Sequence, residues 1–210
     1  MIIGPMASGK TSAANHLVEK FGFKCISLAG PIKDMESKID NAVGIADFTD
    51  IIFPHFSGIR EFGDSHISKM VKVLQEAKEI EREEPKPRKR LQFIGTEGGR
   101  QRIHPDIWIK ILRNTINKSP SNTQWVIDDV RFINEFNSLN DLFLPIKLTV
   151  SKKVQLQRLR NLYPNFDGSV LRHSSELDFY KMEVGRKYIV NANVPLERMN
   201  LDIETKLGLK

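Results

Sequence analysis

The sequence predicts an α/β fold in which a parallel five-stranded sheet carries helices on both faces. Three observations predict it. Five short apolar runs, Met1–Ile3, Lys24–Ala29, Gln124–Val130, Pro145–Val150 and Tyr188–Ala192, have the length and composition of buried strands. Helical periodicities fall between or after them, and such alternation argues a parallel sheet covered on both sides. The first run leads straight into GPMASGKT, a glycine-bounded loop placed where a helix should begin.

Gly4, Gly9, Lys10 and Thr11 match every fixed position of the phosphate-binding pattern G-x-x-x-x-G-K-[ST]. Glycines let the backbone curl so that its amides point inward at phosphate oxygens. The amides of Gly4, Ala7, Ser8, Gly9, Lys10, Thr11 and Ser12 are the candidate donors. Lys10 would reach the β- and γ-phosphates, and the Thr11 hydroxyl would take a position on Mg²⁺. Ala14, Leu17, Val18 and Phe21 then form one helical face, and Gly22 reads as the stop. The helix start adds its positive end to the anion site. The expected ligand is a nucleoside triphosphate, most simply ATP with Mg²⁺.

Cys25 lies in the second run, KCISLA, and reads as a buried core thiol. Residues 40–85 carry no recognisable motif. Within them, Asp64 is placed to cap a helix whose inward face is Ile67, Met70, Val71 and Leu74. That helix runs into the charged stretch EIEREEPKPRKR.

Residues 86–113 have the most unusual composition. Arg88, Lys89 and Arg90 form a basic cluster, and the Gln92 amide can pair with a base edge. Gly95 and Thr96 allow close backbone approach to a ligand. Arg100 and Arg102 supply forked donors suited to phosphate. Trp108 either fills the core or stacks on a base. Pro105 and Asp106 precede a helix with Ile107, Ile111, Leu112 and Ile116 on one side.

The third strand ends in Asp128-Asp129. Ligands of parallel α/β sheets bind at the carboxyl ends of strands, and a phosphate loop needs an acidic residue there to hold Mg²⁺. Alternation puts the two carboxylates on opposite faces, so one can serve metal and the other an acceptor. Arg131 and Glu135, four apart, share a face if the chain turns helical. The last helix starts at Pro195, with Leu196, Met199, Ile203 and Leu207 directed inward.

The chain has 210 residues, 40% of them hydrophobic, enough for one packed domain. A net charge of +6 suggests anionic partners. A single cysteine excludes an intramolecular disulfide or a cysteine-based metal site. No apolar run approaches membrane-spanning length, and a soluble cytoplasmic protein is expected.

Six segments, GPMASGKT, LAGPIKDM (28–35), LQFIGTEGGR (91–100), PDIW (105–108), DDVRF (128–132) and HSSE (173–176), come in an order that resembles the bacteriophage-type deoxynucleoside monophosphate kinases. The apolar Pro5-Met6-Ala7 inside the loop departs from some members, but backbone amides do the cradling. The resemblance implies a three-layer P-loop kinase that moves a phosphoryl group from ATP, with Mg²⁺, to a deoxynucleoside monophosphate. It implies a core of 1–35, 114–150 and 177–210, an acceptor-binding insertion over about 36–113, and a lid over about 151–176. It assigns Arg88, Lys89, Gln92, Gly95, Thr96, Trp108, Asp129, Arg131 and Glu135 to the acceptor, and Thr11 with Asp128 to the metal. Lys10, Asp129, Arg131 and the lid residues Arg158 and Arg172 would act in catalysis, while His173 and Glu176 would be structural. A monomer or homodimer without stable nucleic-acid or membrane binding is expected. Two alternatives stay open: another phosphorylated acceptor, such as dephospho-coenzyme A or phosphomevalonate, and a nucleic-acid-stimulated ATPase.

Overall fold

The computed structural model describes residues 1–163, 166, 168, 171 and 178–209. They form two compact units, one of Met1–Ile26 with Asn122–Lys210 and one of Ser27–Ser121.

The first unit contains all five expected strands, each shorter than its apolar run: β1 (Ile2–Ile3), β2 (Lys24–Cys25), β3 (Trp125–Val126), β4 (Ile146–Thr149) and β5 (Ile189–Asn191). All pairings are parallel. The expected five-stranded sheet is corrected to two ladders, a three-stranded one in the order β1-β4-β5 and a separate β2-β3 pair. One backbone hydrogen bond, from the Ile2 N–H to the Ile127 carbonyl (2.8 Å), runs from β1 to the residue after β3. Two-residue strands leave too few ladder positions for more.

Helix α1 (Lys10–Phe21) starts at Gly9 and stops at Gly22, whose left-handed φ of 72° lets its N–H close back on Leu17 and Val18. The C-terminal helix (Leu196–Leu207) packs beside α1. Their apolar faces meet Ile2, Val126, Ile146, Leu148 and Val190 in one core, with Ala13, Ala14, Leu17, Met199 and Ile203 buried. His16 and Lys20 reach across to Glu204 at 2.6 and 2.8 Å. Leu196 departs from its expected inward place and is 48% exposed. It is the first residue of its helix, where the stripe has not yet turned under.

In the second unit, α2 (Gly30–Ile39), α3 (Ile45–Phe56) and α4 (Asp64–Glu79) surround an apolar interior that includes Met35, Ile52, Met70 and Leu74. Gly63 rather than Asp64 is the capping residue of α4, with Asp64 in its first turn. α5 (Arg88–Gln92) continues into an eleven-residue π-helix, Phe93–Ile103, and then α6 (Ile107–Asn117). The wide turn follows from close packing. A Cβ on Gly98 would lie 2.2 Å from a Val73 methyl, and one on Gly99 would lie 2.5 Å from the Trp108 ring. Within the basic cluster, Arg90 is buried and is an internal brace. Its guanidinium donates to the Ile80 and Lys78 carbonyls and to Asp40.

Completing the chain are α7 (Ile133–Leu139), α8 (Lys152–Leu162) and the C-terminal helix, α9 (Leu196–Leu207). Among the described residues, no helix is long and apolar enough to cross a membrane.

Candidate functional site

The Gly4–Thr11 loop lies between β1 and α1, at the carboxyl end of its strand. Its shape depends on two glycines. A Cβ on Gly4 would sit 2.5 Å from the Ser8 hydroxyl, and that serine is fully buried beneath the loop. Gly9 takes a φ of 99°, open to glycine and costly for other residues. Ala7 also holds a positive φ, 59°, at a cost of about 1–2 kcal/mol. The loop is thus held in a curled form that the chain does not prefer locally.

Neighbouring elements hold it there. From α8, the buried Gln155 amide donates to the Met6 carbonyl at 3.0 Å. Arg158, one turn on, donates to the Ala7 carbonyl (3.3 Å) and the Ala192 carbonyl beyond β5 (2.7 Å). A residue expected to meet the transferring phosphoryl group therefore ties the loop to the sheet in this structure. Lys10 curls back over the loop and donates to the carbonyls of Gly4 (2.7 Å) and Pro5 (3.0 Å).

The structure brings Thr11 and Asp128 together. The Thr11 hydroxyl donates to the Asp128 carboxylate at 2.6 Å across 117 positions of chain. A hydroxyl and a carboxylate are hard oxygen donors of the kind Mg²⁺ takes, with substrate phosphates filling its remaining positions. The pair fits that ion. Cys25, at the end of β2, is exposed, which corrects its assignment to the core. Partial desolvation and then the charges of Asp128 and Asp129 raise its thiol above the ordinary 9.0, so it stays protonated.

Arg131 follows on the same segment and is exposed. Glu135 is buried, and its carboxylate accepts from the N–H groups of Arg131 (2.8 Å) and Phe132 (3.0 Å). It caps α7 and fixes the chain that carries Arg131. In the second unit, Trp108 is 1% exposed and its indole donates to the Gly95 carbonyl at 2.8 Å. Of its two possible roles, this is the core one, with the ring supporting the Gly95 backbone. Arg88, Lys89, Gln92 and Thr96 are exposed, and Gln92 donates to Glu97 at 3.4 Å. Arg172, His173 and Glu176 lie outside the described residues.

A cleft of about 540 Å³ runs from the loop, residues 7–12, to a wall of which the sequence singled out Arg158 alone as a site residue. That wall is Arg158, Asn161 and Leu162 from α8, with Val194 before α9 and Leu196 and Met199 from its start. The others read as ordinary helix surface or core. The signal that marks them is position, since Val194 and Leu196 directly follow the carboxyl end of β5.

No protein-family model matches the chain. A stretch of 55 residues, 26% of this chain, is 49% identical to the deoxynucleoside-5'-monophosphate kinase of Escherichia phage T5. The matched stretch spans 22% of the phage protein, and the likeness therefore ties a part of this chain to a part of a nucleotide kinase.

Proposed function

We propose that this protein transfers the γ-phosphoryl group of ATP to a deoxynucleoside 5'-monophosphate, releasing ADP and the diphosphate. The observation that carries this reading is the curled Gly4–Thr11 loop with Thr11 hydrogen-bonded to Asp128 beside an open cleft. The partial likeness to a phage deoxynucleoside monophosphate kinase supports the choice of acceptor.

The loop amides bind the ATP phosphates, and the α1 N-terminus adds its dipole. Lys10 exchanges its two carbonyl partners for phosphate oxygens. Thr11 and Asp128 would hold Mg²⁺, which supplies neutralisation of charge on the phosphates. An oxygen of the acceptor monophosphate attacks Pγ, and the bond from Pγ to the bridging oxygen of ADP breaks. That nucleophile is already anionic, so positioning and charge neutralisation suffice without a dedicated base. We assign Asp129 and Arg131 to acceptor orientation, and Arg88, Lys89, Gln92, Gly95 and Thr96 keep the acceptor role that the resemblance implies.

The test is a coupled ADP-release assay with Mg²⁺-ATP against the deoxy- and ribonucleoside monophosphates, dephospho-coenzyme A, phosphomevalonate and single-stranded DNA. Release with a deoxynucleoside monophosphate and formation of its diphosphate are expected. Release with another acceptor alone, or only with DNA, would refute the assignment.

A further inference from the structure

A buried glutamine is unusual, because a side-chain amide shut away from water costs free energy unless it is paired. Helix α8 nevertheless turns two residues into the interior, Leu159 and, one turn earlier, Gln155, which is 4% exposed. An aliphatic residue would fill the same space. What distinguishes the glutamine is its side-chain N–H, which donates to the Met6 carbonyl at 3.0 Å. Gln155 does not line the cleft, so its bond reaches the loop and not the ligand space.

The bond falls beside a strained residue, since Ala7 holds a φ of 59°. The Met6 carbonyl belongs to the planar peptide on one side of the Ala7 Cα, and the Ala7 carbonyl belongs to the planar peptide on the other. Gln155 grips the first, and Arg158, one turn along α8, grips the second at 3.3 Å. Fixing both planes fixes φ and ψ of the residue between them. Carbonyl and N–H point opposite ways in a trans peptide, so holding the Met6 carbonyl toward α8 turns the Ala7 N–H away from it. A left-handed alanine persists only where its surroundings impose it. Released from one grip, the Ala7 backbone relaxes toward ordinary dihedrals, and a bound polyphosphate must then restore the curl at a cost in affinity.

We propose that Gln155 is a positioning residue for the triphosphate: it touches no phosphate and sets, through the Met6 carbonyl, the direction of the amide donor at Ala7. This rests on the proposed binding of a nucleoside triphosphate by the Gly4–Thr11 loop. Because the effect passes through the loop, it acts on the phosphates and is indifferent to the base and the sugar.

The experiment measures dissociation constants of ATP and of tripolyphosphate, each with Mg²⁺, for the full chain and its Gln155→Met, Gln155→Leu, Leu159→Val and Lys10→Ala variants, with thermal melts in parallel. Methionine keeps the length of the side chain and removes the donor. Gln155→Met and Gln155→Leu should weaken both ligands about tenfold and by the same factor, the scale of one hydrogen bond. Leu159→Val loosens the same buried face of α8 without touching the loop, and should leave both constants within about twofold of wild type. Unchanged constants in the Gln155 variants overturn the inference, and so does an equal loss in Leu159→Val. Loss for ATP alone, or a wild type that binds ATP and not tripolyphosphate, would place the effect at the nucleoside and also overturns it. If neither Gln155 variant folds, the residue serves stability and the inference falls. Absence of ATP binding by the wild type, or binding indifferent to Lys10→Ala, would overturn the donor site itself and this inference with it.

Discussion

Lys10 spends its ammonium group on two carbonyls of its own loop. Those bonds are local and replaceable by phosphate oxygens, so Lys10→Ala should leave the fold intact. It should lower turnover by about 10² to 10³, the scale of losing one charged donor at a transition state. Steady-state rates alongside a thermal melt check this, and a collapsed melt would instead make Lys10 structural. Arg131 stands differently, because its backbone is pinned by Glu135 while its side chain is exposed. Arg131→Ala should raise KM for the acceptor monophosphate and leave KM for ATP nearly unchanged. Equal effects on both would remove Arg131 from the acceptor side.

Among the elements, β1, the phosphate loop and α1 were legible because period, glycine positions and motif agree there. The inward faces of α4 and α6 were legible for the same reason. The π-helix over Phe93–Ile103 was not. FIGTEGGRQRI has three glycines in seven positions, and low helix propensity makes it read as loop. Tertiary packing decides otherwise, since Gly98 and Gly99 give the room that Val73 and Trp108 fill. Cys25 was misplaced for a related reason: an apolar run marks a strand but not which of its residues face solvent. The candidate site was legible in its phosphate half, where a motif exists, and illegible in its apolar wall, where only folding brings α8 and α9 together. Trp108→Phe tests how the π-helix is held. It keeps an aromatic ring but leaves the Gly95 carbonyl without its indole donor, and should cost about 1–3 kcal/mol in denaturant unfolding. A loss below about 0.5 kcal/mol would mean that water replaces the indole.

At the scale of the whole molecule, a net charge of +6 suits a protein whose proposed ligands are all polyanions. In the first unit, the first and last helices of the chain are joined through Glu204. Hydrogen bonds from Lys20 and then His16 hold its carboxyl below the ordinary 4.5. A lowered carboxylate contributes stability that is complete above its unfolded value and fades as pH falls through the folded one. The wild type should therefore melt above Glu204→Gln near neutral pH, and the gap should close as pH falls below the ordinary 4.5. Melting curves across that range check it, and a constant gap would assign the effect to packing. The 2.2 Å that separates a Val73 methyl from the place of a Gly98 side chain also bears on how such a chain can change over generations. Positions 73 and 98 share one volume. Descendants are expected to shed bulk at 73 before they gain it at 98, because the reverse path crosses an overfilled interior that costs about 1–3 kcal/mol. Ancestry along this segment would then be written as paired replacements.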